Sequence, residues 1–371
     1  MSQQYLAGII LIELSLRYTG EIPQKEPFVC VVTAAVSEPH KRGANKLIKN
    51  RDKYYIGGQI LSIINQNAFL EIGEILIVFP NEKLIQRFYR PNVNGNTILL
   101  TEKCDQVCMM CSQPPKNKDY LYWDLYLEAA SLIPDGGILG ISGGEPTLYK
   151  NQLLQFLIDC IELNKNLQIN VLTNAQHFDR SDIDKLLILN QNVLWGVPIY
   201  SHIASQHDQI VGKEEAFSKL KNGFNCLLMS GSRVELRTVL MQENYASLPK
   251  LAKLVSRHFL WVERWAIMQL EPIGYAKIDW TTKFVDTTLY PENLEQAVMI
   301  AKASGIYASL YNFPRCTVPP NIRDSCVNSI SDWKQKFIPE CKTCSQKNSC
   351  CGFFEWYDDK SGYKSVMRIE E

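Results

Sequence analysis

The stretch Asn96-Thr97-Ile98-Leu99-Leu100-Thr101-Glu102-Lys103-Cys104-Asp105-Gln106-Val107-Cys108-Met109-Met110-Cys111 runs from a strand-like apolar segment into a loop with three cysteines. About thirty residues on, Ile138-Leu139-Gly140-Ile141-Ser142 repeats the strand signal and ends in Gly143-Gly144-Glu145-Pro146-Thr147. Working outward, strand-like segments at Thr97–Leu100, Ile138–Ser142, Gln168–Thr173, Val193–Tyr200, Arg233–Val239 and Arg264–Leu270 alternate with helix-like stretches. The helix-like stretches are Leu121–Ile133, Gln152–Leu163, Ser181–Leu187, Glu214–Leu228 and Leu248–Phe259. Leu153, Leu154, Leu157, Ile158 and Ile161 recur at helical spacing with Cys160 beside them. Phe217, Leu220, Phe224 and Leu228 do the same around Cys226, so both cysteines read as packing residues. Six β–α units in sequence imply an α/β fold of parallel strands with right-handed crossovers, short of the eight units of a closed barrel. In such a sheet the ligand lies at the carboxyl ends of the strands, where both motif loops fall.

Residues 1–92 read differently. Ile9–Leu16, Phe28–Ala34, Ile60–Ile64 and Ile75–Phe79 are short strand-like runs between Pro, Gly, Asn and Lys clusters, which implies a small β domain with Cys30 in its core. The basic run Lys41 to Lys53 reads as a solvated loop, with a docking surface as the alternative. Three units follow: a β-rich 1–92, an α/β unit over 93–312, and a cysteine-rich 313–371. Lys plus Arg balance Asp plus Glu at 39 each across 371 residues, so no overall field favours nucleic acid or an anionic membrane. No signal-peptide pattern and no apolar run of membrane-spanning length is present, so the expected location is cytoplasmic. There, 12 cysteines point to metal or redox roles rather than disulfides.

Three thiolates spaced C-x3-C-x2-C on one loop leave one iron of a four-iron cluster without a protein ligand, and a vacant iron can bind a small molecule. Zinc binding or chance spacing remain as alternatives, although no fourth Cys or His lies near the loop. A second group crowds the last 56 residues: Cys316, Cys326, Cys341, Cys344, Cys350 and Cys351. Cys341-Lys342-Thr343-Cys344 with Cys350 is a metal-ligand spacing, and Cys316 completes four thiolates that suit iron–sulfur or zinc equally. Cys326 and Cys351 are the spares.

Other strand ends carry weaker candidates. Thr173-Asn174 closes the third strand, either at a ligand or as a cap. Ser201 after the fourth suits a ribose hydroxyl. His207-Asp208 suits acid–base chemistry or a loop-ordering hydrogen bond, and the latter is the better reading. Arg237 suits a carboxylate ligand or a buried ion pair. Glu271, after the sixth strand, faces the substrate mouth or forms a salt bridge.

Gly-Gly-Glu-Pro so soon after C-x3-C-x2-C resembles the radical S-adenosylmethionine superfamily. The resemblance implies a partial (β/α)6 barrel in which Cys104, Cys108 and Cys111 hold a 4Fe-4S cluster. The unique iron of that cluster would be chelated by S-adenosylmethionine. It implies that Gly143, Gly144, Glu145 and Pro146 form the site for the methionine amino group, with Asn174, Ser201, Arg237 and Glu271 as further cofactor-site candidates. Met110 departs from the aromatic residue many members carry before the last cysteine, which alters packing over adenine. The resemblance also implies an electron donor such as flavodoxin or ferredoxin. For Cys316, Cys341, Cys344 and Cys350 it favours one auxiliary 4Fe-4S cluster.

A narrower likeness covers roughly residues 90–355. Cys108-Met109-Met110-Cys111-Ser112-Gln113-Pro114-Pro115-Lys116, Tyr311-Asn312-Phe313-Pro314-Arg315-Cys316 and Ser329-Ile330-Ser331-Asp332-Trp333-Lys334 look like the His-Xaa-Ser system radical maturases. So does the tail from Pro339-Glu340-Cys341 to Cys350-Cys351-Gly352-Phe353-Phe354. This likeness implies a ribosomally made peptide or protein substrate with His-Xaa-Ser repeats and a second radical enzyme as partner. A small-molecule substrate and a non-catalytic iron–sulfur or zinc module are the competing functions.

Overall fold

The computed structural model describes residues 15–22, 24–34, 45–50, 53–64, 69–93, 95–331 and 334–370. Most of the expected strand Ile9–Leu16, the first part of the basic run, and the pair Asp332-Trp333 lie outside the described residues.

Seven strands come first: β1 (Ser15–Thr19), β2 (Phe28–Ala34), β3 (Asn45–Asn50), β4 (Lys53–Ile56), β5 (Gln59–Ile63), β6 (Ile75–Phe79) and β7 (Leu84–Tyr89). They close into a barrel in the order β1-β5-β4-β3-β2-β6-β7. Closure explains the unbroken apolar run of β2. Phe28, Cys30 and Val32 fill the barrel, while Val29 and Val31 on the other face join the core of the rest of the chain. Part of the basic run, read as a loop, is instead strand: Lys46 and Lys49 flank the buried Leu47 on β3. Lys49 Nζ donates to the Leu70 carbonyl at 2.5 Å. Period-2 alternation in a strand this polar was too short to stand out.

The second sheet has eight parallel strands: β8 (Thr97–Leu99), β9 (Ile138–Ser142), β10 (Gln168–Leu172), β11 (Val193–Pro198), β12 (Arg233–Leu240), β13 (Arg264–Gln269), β14 (Ala308–Tyr311) and β15 (Cys326–Val327), side by side in sequence order. The helices that follow these strands are α1 (Trp123–Ser131), α2 (Lys150–Leu163), α3 (Ile183–Leu189), α4 (Ala204–Val211), α5 (Ala216–Met229), α6 (Gln242–Tyr245), α7 (Leu248–His258), α8 (Trp280–Lys283) and α9 (Glu292–Ala303). The expected count of six units is corrected to eight strands. β14 and β15 have only four and two residues, too few for a periodicity signal. The sheet stays open, with β8 and β15 as its edges.

The barrel and the sheet share one core through α1: Phe79 packs on Tyr122 at 5.0 Å and Phe88 on Tyr126 at 5.9 Å between ring centroids. Cys160 and Cys226 are buried in this core, as their helical stripes implied. The cysteine-rich segment is continuous with the sheet, since it supplies β15, then the small hairpin β16 (Gln335–Lys336) and β17 (Phe353–Phe354). The tail folds back beyond the carboxyl ends of the strands, where Lys364 N donates to Asp286 Oδ2 at 2.8 Å. No helix among the described residues is long and apolar enough to cross a membrane.

Candidate cofactor and cluster site

The loop Cys104–Cys111 leaves the end of β8 and is held from three sides. After β9, Gly144 N donates to Thr101 O at 2.7 Å and Glu145 N to Lys103 O at 2.8 Å. At the end of α4, Val107 N and Met109 N donate to Val211 O and Ile210 O at 3.1 and 3.0 Å. After β13, Tyr275 N donates to Cys111 O at 2.9 Å. Each clamp contains a glycine that a Cβ would wreck. A Cβ on Gly144 would stand 2.0 Å from Lys103 O, on Gly212 2.5 Å from a Val107 methyl, and on Gly274 2.2 Å from Cys111 O. Gly143 adds a φ of +152° with its Cβ position 2.3 Å from Thr101 O. The sequence reading gave the glycine pair close approach to a ligand. What it admits first is the backbone of the cysteine loop.

A fourth anchor is a side chain. Asp105 Oδ1 accepts from Asn174 Nδ2 at 2.9 Å, and its Oδ2 meets His177 Nε2 at 3.1 Å and the Lys213 ammonium. Burial opposes ionisation of Asp105, yet the hydrogen bonds from His177 and Lys213 hold it below the usual carboxylate range. The sequence marked Asn174 as a strand-end candidate but not its partnership with Asp105, His177 and Lys213, which are scattered along the chain.

The anchored loop opens on a cavity of about 260 Å3 at the carboxyl ends of the strands. Cys104, Cys108 and Cys111 line it with Gly143, Gly144, Glu145, Asn174, Arg237 and Glu271. Burial pushes all three thiols up, Cys104 to about 12, so a metal bound here would have to displace their protons. Among the described residues no group of three or more His, Cys, Asp or Glu side chains is arranged to hold a single metal ion.

Glu145 is only 1% exposed. Its Oε1 accepts from Thr147 N at 2.8 Å, from Thr173 Oγ1 at 2.6 Å and from the Thr147 hydroxyl. Among the described residues Oε2 accepts from Asn174 N alone, at 2.6 Å, which leaves it further acceptor capacity. Burial raises the Glu145 carboxyl, against the pull of these donors. Pro146 stands behind it as the first residue of a short 3-10 turn and is not a lining residue. Arg237 forms the buried ion pair of its second reading, with Glu235 at 2.6 Å, and also lines the cavity. Glu271 lines the cavity and forms the salt bridge of its second reading, both oxygens 3.1 Å from Nζ of Lys334, a fully buried lysine that the sequence marked only within a likeness.

Two candidates fall elsewhere. Ser201 is buried outside the cavity lining, its hydroxyl donating to Gln206 Oε1 at 2.5 Å and accepting from Ile203 N at 2.9 Å. In the folded chain its hydroxyl orders the turn into α4. His207 is 1% exposed and its Nδ1 accepts from Tyr200 N at 3.3 Å, the loop-ordering bond expected. Burial depresses this imidazole from 6.5 to about 4. As pH falls through 6.5 the unfolded chain takes up the proton first, so stability drops steadily until about pH 4. Thermal melts should show about 1 kcal/mol less stability at about pH 5.5 than at about pH 7.5 from this residue. His207→Gln should remove that part of the slope, and an unchanged slope would refute the assignment.

In the C-terminal segment Cys316 and Cys341 pack against the same small core of Phe284, Phe353 and Tyr363, and the Cys350 sulfur accepts from Arg315 N, one residue before Cys316. The neighbouring Cys351 thiol, together with Arg315 N and Gly352 N at 3.4 Å, pulls Cys350 down to about 6. Cys351 is buried and pushed up. The thiolate-forming member of the pair is therefore Cys350.

No family model and no curated protein matches this chain. Among solved structures it is similar to Streptococcus suis SuiB bound to S-adenosylmethionine, at 19% identity and a TM-score of 0.45, over 58% of this chain and 49% of that one. The structure of native anSMEcpe with bound AdoMet matches at 16% identity and a TM-score of 0.46, over 58% of this chain and 63% of that one. A radical SAM methyltransferase from Sphaerobacter thermophilus matches at 16% identity and a TM-score of 0.43, over 66% and 74%. The matched region thus spans about half of the SuiB chain.

Proposed function

We propose that this chain is a radical S-adenosylmethionine enzyme that modifies a ribosomally made peptide or protein of the His-Xaa-Ser repeat type. The observation that carries the reading is the docking of a three-cysteine loop onto Gly-Gly-Glu-Pro around one cavity at the carboxyl ends of a parallel sheet. The donor set fits the cofactors. Cys104, Cys108 and Cys111 would hold a 4Fe-4S cluster and leave one iron for S-adenosylmethionine. When bound and reduced, that pair supplies a 5′-deoxyadenosyl radical and methionine.

The residues of the chain bind and shield. Glu145 Oε2 has room for the methionine ammonium, and Arg237 brings positive charge to the same cavity for the carboxylate. Met110, Tyr200 and Leu270 form an apolar wall that excludes water and competing hydrogen donors. Cys316, Cys341, Cys344 and Cys350 would hold an auxiliary 4Fe-4S cluster. The expected partners are the peptide, a flavodoxin- or ferredoxin-type electron donor and a second radical enzyme.

Anaerobically reconstituted, reduced protein should release 5′-deoxyadenosine from S-adenosylmethionine and shift the mass of a co-expressed His-Xaa-Ser peptide. Release of 5′-deoxyadenosine with an unaltered peptide would redirect the reading to a small molecule. No 5′-deoxyadenosine from fully loaded enzyme supplied with that peptide would remove the enzyme reading.

A further inference from the structure

A second cavity, of about 380 Å3, adjoins the first. Rings from α8, from the residue that follows it and from the tail line it: Trp280, Phe284, Phe353, Trp356, Tyr357 and Tyr363. The rings brace one another, with Trp280 on Phe284 at 4.8 Å, Phe353 on Tyr357 at 4.5 Å and Phe284 on Tyr363 at 5.2 Å. The chamber is thus held by its own packing. Its volume suits a side chain plus a short length of backbone.

Gln269, Leu270 and Asn312 line both cavities and form the junction between them. The Gln269 carboxamide is fully used, donating to Val285 O at 3.0 Å and Tyr363 Oη at 2.9 Å and accepting from Leu270 N at 2.9 Å. Asn312 is not. It is only 5% exposed and sits in the left-handed region at φ +64°. Ser329 Oγ accepts from its backbone N–H at 2.8 Å and donates to its Oδ1 at 3.2 Å, which fixes the side chain. Its Nδ2 has no hydrogen-bond partner among the described residues. Held in place by Ser329 and without a partner among the described residues, this donor faces the meeting of the two cavities, where it is open to an acceptor from outside.

We infer that this junction is the peptide subsite: Asn312 Nδ2 donates to a substrate backbone carbonyl, and a planar ring of a neighbouring substrate residue enters the aromatic chamber. The inference rests on the peptide reading above, where the ring is the repeat's imidazole. Ring faces and edges of the chamber favour a planar guest over a branched aliphatic one. A carbonyl held at the junction sets the adjoining substrate residue against the cofactor cavity.

The test is equilibrium binding of two fluorescein-labelled peptides of equal length, a His-Gly-Ser repeat and a Leu-Gly-Ser repeat, to the reconstituted full-length protein by anisotropy. The parent should hold the His peptide about fivefold tighter than the Leu peptide. Trp356→Leu should bring that ratio close to one, and Asn312→Gly, which keeps the φ, should weaken both peptides about fivefold and keep the ratio. If Trp356→Leu misfolds, indole as competitor against the parent should displace the His peptide before the Leu peptide. Asn312→Asp, which removes the donor, should weaken both peptides as Asn312→Gly does and keep the ratio. No ring preference in the parent, or peptide affinities that neither variant changes, overturns the inference. Binding needs neither reductant nor turnover, so absent 5′-deoxyadenosine sinks the functional reading while the affinity ratio still decides the subsite. An active enzyme with equal affinities sinks the subsite alone.

Discussion

Replacing Cys104, Cys108 and Cys111 together with Ala should cut bound iron from about eight to about four per chain and abolish release of 5′-deoxyadenosine. The loop should stay in place, because backbone bonds to Val211, Ile210, Thr101 and Lys103 and the Asp105 cluster hold it without using a thiol. The remaining iron should belong to Cys316, Cys341, Cys344 and Cys350, and Cys350→Ala in the triple background should remove it. Cys351→Ala should cost far less, since the Cys351 thiol is buried and donates to Gly352 O at 3.3 Å. Iron analysis with zinc counted in the same sample separates the cases. About four irons plus about one zinc in the parent would assign the C-terminal thiols to zinc, and iron unaffected by the triple change would remove the cluster from this loop altogether.

How much of this was legible in the sequence depended on range. Six strands from β8 to β13 and five helices announced themselves through apolar runs and helical stripes, and the motif cysteines through spacing. β14 and β15 did not, because four- and two-residue strands carry no period. Nor did α4, a short helix with polar residues at Ser205, Gln206, Asp208 and Gln209. Site residues set by tertiary contact were invisible. Lys213 and His177 are ordinary polar residues until the fold brings them to Asp105, 108 and 72 positions away respectively. Asn174 was legible as a strand-end candidate, but its side chain serves Asp105 while its backbone N–H serves Glu145. Asn312 was quoted only within a likeness. Its left-handed backbone and unmet Nδ2 exist only in the folded chain.

Gly144→Ala should be nearly as damaging as loss of the thiols, through backbone alone. The new Cβ would lie 2.0 Å from Lys103 O and 2.5 Å from Lys103 C, and neither atom belongs to a side chain that can rotate away. Relief requires the Thr101–Lys103 segment to retreat from β9, which breaks the bonds from Gly144 N and Glu145 N that register the cysteine loop against the Glu145 carboxylate. Overpacking of this kind costs roughly 1–3 kcal/mol when side chains can adjust, and here they cannot. The expected variant keeps the barrel and the C-terminal cluster, retains about four irons and releases no 5′-deoxyadenosine. Gly95→Ala is the matched control, since its Cβ would meet nothing within 4 Å. If Gly144→Ala retained the parent's iron and activity, the glycine pair would not be the seam that joins loop to sheet. The fixed distance between the thiols and Glu145 would then need another cause.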